Sequence, residues 1–597
     1  VHEPCRKFPD SVARKFWRCQ PSLIRHWAAL IAFGLAHGAA QAQASSANTA
    51  AALDRQNQMI ENQQRERLRE DQERALRSPP ASDSVDLNAI KPPVSVPDLG
   101  VPCRDIQRIE LTGDTVNVPA ALRAQVTQDY AGRCLGVSDI EAILSLFTKS
   151  FIERGFVTTR VYLPAQDLRS GRLVVTIVAG KIENYIAEGD RGRSIWLRGA
   201  FPASPGDLLN LRDLEQGIDQ INRLGSNDAR LDLRPGSQPG QSIVAVINEG
   251  RFPLHLFTST DNLGANATGR NGLSATVTAD SLLGLNEMLA LTRRQSAFPF
   301  DGAHRSDSTA LNVQLPVGYS TFSLNLSQSN YTNTLTLPSG ISLVATGRVD
   351  SWSIGADRVI YRDRGTRMHL SATLGMMSSK NWLDGQFLQV SSRKLSFLSV
   401  GVSGFTHAFG GAANARVGVV RGLSWFGGLR DASDLPDDLP HAQATKFTLE
   451  VGYDRRFRLG GVALVWSAQG SVQRALDTLY GSQQILIGGP STVRGFLNSS
   501  LTGDNGYYVR NELSLPWRLD ARWLGALSGR AYTGFDWGNV TNRAADVPSG
   551  SLAGVTLGLG LNWKGSSLDA SLARAVRAPS ALMREGTLCY LRLSTAF

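Results

Sequence analysis

From Phe252 onward, apolar and polar residues alternate with a period of two. In "FTLEVGYDRRF", Phe447, Leu449, Val451 and Tyr453 share one face, and Thr448, Glu450, Gly452 and Asp454 the other. "VTLGLGLNW" sets Val555, Leu557, Leu559, Leu561 and Trp563 against Thr556, Gly558, Gly560 and Asn562. Successive side chains of a strand point to opposite faces, so each stretch reads as a strand with one apolar and one polar or small face. Such dyads fit a closed membrane barrel with its apolar face toward lipid, although a soluble β-sandwich alternates in the same way. The length of unbroken β-sequence, residues 251–597, favours the barrel. A spanning strand takes about 9–11 residues, and with turns and loops about 20, so the region holds about sixteen strands. The last stretch, "LCYLRLSTAF", places Cys589, Leu591, Leu593, Thr595 and Phe597 on one face, which points Cys589 at lipid.

Ahead of this region the periodicity turns helical in places. "SDIEAILSLFTKSFIERG" sets Ile140, Ile143, Leu144, Phe147 and Phe151 on one helical face, with Ser138 and Glu141 spaced as a capping box. The strand-like "DIQRIELTG" and the short helix "ALRAQVTQDY" precede it, and the hairpin "TTRVYLPAQDLRSGRLVVTIVAG", closed by Gly171, follows. The same order recurs in "KIENYIAEG", "RSIWLRGAF", "NLRDLEQGIDQINRL" and "ARLDLRPGSQPGQSIVAVIN". An α+β module is therefore repeated, over residues 103–180 and 181–250.

Residues 45–77 are dense in helix formers, but Leu53, Met59, Ile60, Leu68 and Leu76 form no continuous stripe. A helix polar all round lies in water, bridges domains or is unstable alone. Six prolines make residues 78–102 an extended linker. Residues 1–44 read as an export signal: a basic stretch to Arg25, an apolar run from Trp27 to Ala36, and "AQAQA" with cleavage after Ala42 or Ala44. A membrane anchor is the alternative, but the run is too short to span a bilayer as a helix.

The formal net charge of +10 is concentrated at the start, where six basic and two acidic residues within 1–44 leave only +6 for the rest. That excludes a nucleic-acid partner. Export also decides the reading of the cysteines. Cleavage removes Cys5 and Cys19, and an oxidising compartment favours a disulfide between Cys103 and Cys134 over two buried free thiols. The eight histidines are scattered, with no H-E-x-x-H, no metal-spaced cysteine pair and no G-x-x-x-x-G-K-[ST]. The expectation is no enzyme, no catalytic residues, no metal and no cofactor.

One short stretch does carry chemistry. "GGPSTVRGF", Gly488 to Phe496, plants Arg494 between apolar neighbours, and a guanidinium there needs a carboxylate to receive it.

Two modules, a barrel of about sixteen strands and "VRGF" between late strands resemble the TpsB transporters of two-partner secretion, the family of FhaC, ShlB, HecB and CdiB. "FVTTRVYLPAQDL" (Phe156–Leu168) is similar to first-module text of that family. Asp261, Asn262, Gly264, Thr268 and Gly269 follow its "DNxGxxxTG", and "YYVRNELSLP" (Tyr507–Pro516) its strand after the VRGF loop. The family pairs that loop with a barrel-wall motif two strands on, here "GFDWG" with Gly534, Asp536 and Gly538.

The resemblance implies a mainly β protein: a 16-stranded transmembrane antiparallel barrel (251–597) preceded by two POTRA modules (103–180 and 181–250). It makes residues 45–77 a plug helix in the pore. Asp536 becomes the expected acceptor of Arg494, with Gly495 turning the backbone and Val493 and Phe496 packing on the wall. The implied function is nucleotide-independent export of a large unfolded exoprotein, a haemolysin, adhesin or contact-dependent toxin, through a Gram-negative outer membrane with the modules in the periplasm. A barrel-assembly factor of the BamA or TamA kind is the alternative. Expected partners are the secreted TpsA-type exoprotein, outer-membrane lipid, and the barrel-assembly and periplasmic chaperone machinery during biogenesis. Capture is expected by strand addition on the helix face and edge strand of the second module, at Ile243, Val244, Ala245 and Val246, with ordinary module core the favoured reading of Ile243, Val244 and Val246 taken singly. The terminal Phe597 resembles the signal by which such barrels are recognised for insertion.

Overall fold

The computed structural model describes residues 54–76, 103–189, 195–297, 301–336, 340–521 and 525–597. The expected signal segment and proline-rich linker lie outside them. Compact units divide at Gln58; of the first, residues 54–58 are described and are helical, and all contacts below belong to Met59–Phe597.

Sixteen long antiparallel strands close into a barrel, from Leu254–Asp261 to Leu588–Ala596. The two-residue strand Gln386–Phe387 only extends one hairpin. The end strands pair from Arg592↔Asp261 to Ala596↔Phe257, so no edge is left unpaired. The dyad decides the two surfaces. Leu273, Val277, Leu291, Ile354, Val451 and Leu557 are exposed outward, whereas Thr276, Thr292 and Asn312 are buried inward. Cys589 is exposed, in line with Leu591 and Leu593. Among the described residues no helix is long and apolar enough to cross a membrane.

The first module packs Ile143, Phe147 and Phe151 of helix Val137–Glu153 on Leu173, Val175 and Ile177. Its sheet order is Arg108–Gly113, Arg172–Val178, Arg160–Tyr162. Cys103 and Cys134 are disulfide-bonded, with Cα atoms 5.3 Å apart, beside the small ladder of Arg104–Ile106 with Arg133–Leu135. The cap of the long helix differs from the expected Ser138/Glu141 box. Gly136 is the N-cap, and the Asp139 carboxylate accepts its backbone N–H at 2.8 Å. The helix starts one residue before Ser138, which leaves Asp139 rather than Glu141 in position to reach back.

The second module corrects the expected edge strand. Gln241–Asn248 lies in the middle of its sheet, parallel to Lys181–Glu188 on one side and antiparallel to Ala229–Pro235 on the other. Val244, Ala245 and Val246 are fully buried and Ile243 is half-buried. The physical reason is topological: the first strand of a β-α-α-β-β module pairs with the last, so the last is enclosed by the first and by its hairpin partner. The free edges are the other two strands.

Candidate functional site

The loop between the eleventh barrel strand, Val462–Ala475, and the twelfth, Asn505–Ala521, folds inward. Its own two short strands, Ile485–Ile487 and Leu501–Gly503, pair as a hairpin and carry "VRGF" between them. Val493 and Phe496 are fully buried against Val540 and Leu552 of the wall. Gly495 takes φ +100°, and a Cβ there would sit 2.6 Å from the Arg574 backbone, so the turn admits glycine alone.

"GFDWG" lies on the thirteenth strand, Gly525–Thr541. Phe535 and Trp537 face outward and are exposed, while Asp536 faces inward and is fully buried. The Asp536 carboxylate receives Arg494 in two prongs, Nε to Oδ2 at 2.6 Å and Nη2 to Oδ1 at 2.8 Å, and the Arg494 backbone N–H at 3.1 Å. The second acidic partner is Glu512, whose Oε2 lies 3.1 Å from Arg494 Nη1 and which also pairs with Arg530. Arg510 donates to the Ser491 carbonyl at 3.0 Å, tying down the other limb of the loop.

Glycines make the close approach possible. Side chains at Gly534 and Gly554 would strike the Arg494 guanidinium and carbonyl respectively, and one at Gly538 would press on Val493. A register shift between Ala553 and Gly554 bends the wall strand where the loop lies. Gly554→Val is therefore expected to lift the loop without preventing barrel assembly. Heat-modifiable migration should stay normal, while the loop becomes cleavable by externally added protease.

The far side of the loop is pinned by residues no motif marked. Tyr590 of the last strand donates to the Phe496 carbonyl at 2.9 Å and accepts from Gly495 N–H at 3.2 Å. Glu585 accepts three successive backbone N–H groups, from Leu497, Asn498 and Ser499, at 2.8, 2.9 and 2.8 Å.

Residues 59–75 of the N-terminal helix pack against the inward face of the wall. Their contacts are polar: Glu61 with Ser379 and Asn381, Asn62 Nδ2 with the Gly481 carbonyl at 2.6 Å, and Arg65 with the Ser482 carbonyl at 3.0 Å. Further along, Arg294 bridges Asp71 at 2.7 Å and Asp261 at 3.0 Å. Arg592 stands 3.5 Å from both Glu70 and Asp261. The helix thus meets the third and last strands beside the barrel closure, and Asp261 of the first strand, in the "DNxGxxxTG" stretch, is the acceptor shared by both arginines. Asn262 completes that closure, donating to the Cys589 carbonyl at 3.0 Å and accepting from Leu591 N–H at 2.8 Å. A polar cavity of about 610 Å³ lies beside the helix, lined by Glu66, Arg69, Arg494, Arg510, Glu512 and Arg530 among others.

The second module docks through its helix Leu211–Asn222. Gln216 and Gln220 donate to the Gly318 carbonyl at 3.2 and 3.1 Å, and Asp219 accepts from Arg362 and Arg367 at 2.7 and 2.6 Å. Tyr319 donates to Asp213, yet burial still holds the Asp213 carboxyl above the usual carboxylate range. The helix face expected to capture a partner is thus occupied by barrel turns. Among the described residues no cluster of His, Cys, Asp and Glu is arranged to hold a metal.

Glu512 was legible in "YYVRNELSLP" as an inward carboxylate one strand from Asp536, since Glu512 and Gly534 are register partners. Tyr590 and Glu585 carried no such signal, because their partners are backbone groups.

The family model described as haemolysin secretion/activation protein ShlB/FhaC/HecB matches residues 240–561. POTRA models match 105–180, of the ShlB type, and 181–235. The outer membrane transporter CdiB of Dickeya dadantii is 30% identical over 503 residues, 83% of this chain and 87% of that one. The haemolysin transporter protein ShlB of Serratia marcescens is 31% identical over 475 residues, 79% and 82% of the two chains. The solved structure of CdiB from Escherichia coli superposes with a TM-score of 0.80 at 30% identity, covering 91% of this chain and 98% of its own.

Proposed function

This chain belongs to the ShlB/FhaC/HecB family of outer-membrane transporters, with its barrel in the outer membrane and its POTRA modules in the periplasm, and from that premise we propose that it exports a large exoprotein in an unfolded state. The carrying observation is a sixteen-stranded barrel whose lumen holds a helix on polar contacts and a loop fixed by a buried ion pair. The helix at 59–75 is held by hydrogen bonds and ion pairs to an aqueous-type wall, not by an apolar seam, so water can replace its contacts. It acts as a plug. The Arg494 loop, by contrast, is anchored by a buried ion pair and stays to shape the channel.

An extended partner chain is captured by strand addition, which satisfies main-chain groups without strict sequence demands. With Gln241–Asn248 enclosed, the free edges do this work. The edge Arg160–Tyr162 of the first module is favoured, because Tyr162 and Leu163 beside it are exposed. No nucleotide motif is present in the chain, so the work comes from binding and from folding of the partner outside. Barrel-assembly and chaperone factors act only during biogenesis.

The test is co-expression with the large exoprotein of the neighbouring open reading frame. Export to the medium should occur, and should cease on deletion of residues 103–180, while other outer-membrane barrels keep normal levels. Unchanged export, or general loss of barrels, contradicts the reading.

A further inference from the structure

The second module contacts the turns near Asn286, Gly318 and Arg362, which sets that end of the barrel toward the periplasm. Residues 384–392 and 424–444 therefore lie at the cell surface. Just below them, on the outer wall, three cations gather on adjacent strands: Arg348 of Ser342–Arg362, Lys380 of Thr366–Leu383 and Lys394 of Arg393–Ala408.

Their direction follows from the dyad. Ser379 meets the lumen helix through Glu61, and Met377 and Leu395 are buried, so Ser378, Lys380 and Lys394 point outward. Arg348 is the direct register partner of Lys380, and Ser378 is that of both Asp350 and Lys394. The next outward row holds Trp352, Met376 and Ser396. Loop residues cover that row: Phe426 meets Trp352 edge to face at 5.0 Å, and Ser396 donates to the Trp425 carbonyl at 2.6 Å. The same loop brings Arg430 in next to Lys394, through Leu429 N–H to the Lys394 carbonyl at 2.8 Å.

Like charges directly opposite on a sheet destabilise it, so Arg348 facing Lys380 calls for an anion. Among the described residues, none of the acids of this stretch, Asp434, Asp437 and Asp438 of the loop included, forms an ion pair with Lys380 or Lys394. Asp350 is bound to Arg348 and Gln328, Asp384 to Val344 N–H, and Asp431 to Ala442 and Gln443 N–H. Lys380 and Lys394 are exposed and have no ion-pair partner among the described residues. Aromatic rings at the lipid interface with cations immediately above them match the layering of a lipid, acyl chains below and headgroup above. We propose that Arg348, Lys380 and Lys394 bind the phosphate of a phosphorylated glycolipid headgroup in the outer leaflet. Trp352 and Phe426 receive the top of its acyl chains. The site rests on the outer-membrane location alone and stands whether or not the export reading holds.

Native mass spectrometry of the full chain in non-ionic detergent tests this, with bisphosphorylated lipid A, dephosphorylated lipid A and inorganic pyrophosphate as probes. The bisphosphorylated lipid should be retained and the dephosphorylated one should not. Lys380→Gln with Lys394→Gln should weaken retention by at least about tenfold, the effect expected of two cations at a membrane surface. Arg358→Gln, on the outer face at the periplasmic end of the strand that carries Arg348, should leave it unchanged. Heat-modifiable migration establishes that both variants are folded. Equal retention by the double variant, or of both lipids, would overturn the site. Pyrophosphate binding as tight as the bisphosphorylated lipid would reduce it to a free-phosphate site and overturn the lipid assignment.

Discussion

Arg494→Met is expected to abolish export while leaving an assembled barrel in the outer membrane. The substitution keeps an unbranched side chain to fill the space but leaves Asp536, fully buried, without its two-pronged partner. Breaking a buried pair on one side costs about 3–5 kcal/mol, a shift of at least about a hundredfold in the ratio of latched to unlatched loop. Asp536→Asn should be nearly as severe, because Arg494 loses both charge-assisted bonds and its backbone N–H loses an anionic acceptor. Glu512→Gln should be milder, since Glu512 is partly exposed and takes only one prong. Exported exoprotein in the medium, normalised to heat-modifiable barrel in the membrane, measures all three.

A charge exchange between the two positions is the test the sequence invites, and the structure changes its expected outcome. In the Arg494→Asp, Asp536→Arg double variant, the new carboxylate faces Glu512 and the backbone bond at position 494 is lost. Recovery should be partial, and adding Glu512→Gln should improve it.

The barrel was legible because its dyad is enforced by two solvents, lipid outside and water inside, so each strand declares its faces without knowledge of its neighbours. The latch was legible because a lone arginine among apolar residues needs an acid and "GFDWG" offered one. What stayed hidden depended on strand order. "SIVAVIN" is a continuous apolar run from Ile243 to Ile247, which shows that both faces are covered but not which strands lie beside it, and its parallel partner Lys181–Glu188 comes from the far end of the module. Nothing local distinguishes an enclosed strand from an edge. The Ser138/Glu141 reading failed for a narrower reason: Gly136 and Asp139 satisfy the same geometry two residues earlier, and sequence spacing does not rank them.

Deletion of residues 54–75 is the second large effect, a severalfold rise in single-channel conductance in planar bilayers. A helix with its side chains is about 10–12 Å across, a large share of the lumen of a sixteen-stranded barrel. Its loss should not unfold the wall, because its partners Asn381, Arg294 and Arg592 keep other acceptors in the Ser391 carbonyl and Asp261. Conductance equal to that of the intact chain would remove the helix from the role of plug.

The central claim is that this helix must leave its polar berth for the partner to pass. Glu61 and Ser379, in hydrogen-bond contact inside the barrel, give the place to hold it. A Glu61→Cys, Ser379→Cys variant joined by a short, reducible bis-thiosulfonate crosslinker should export nothing when joined and resume export when the link is reduced. Export at the uncrosslinked level from a fully joined population would contradict the account.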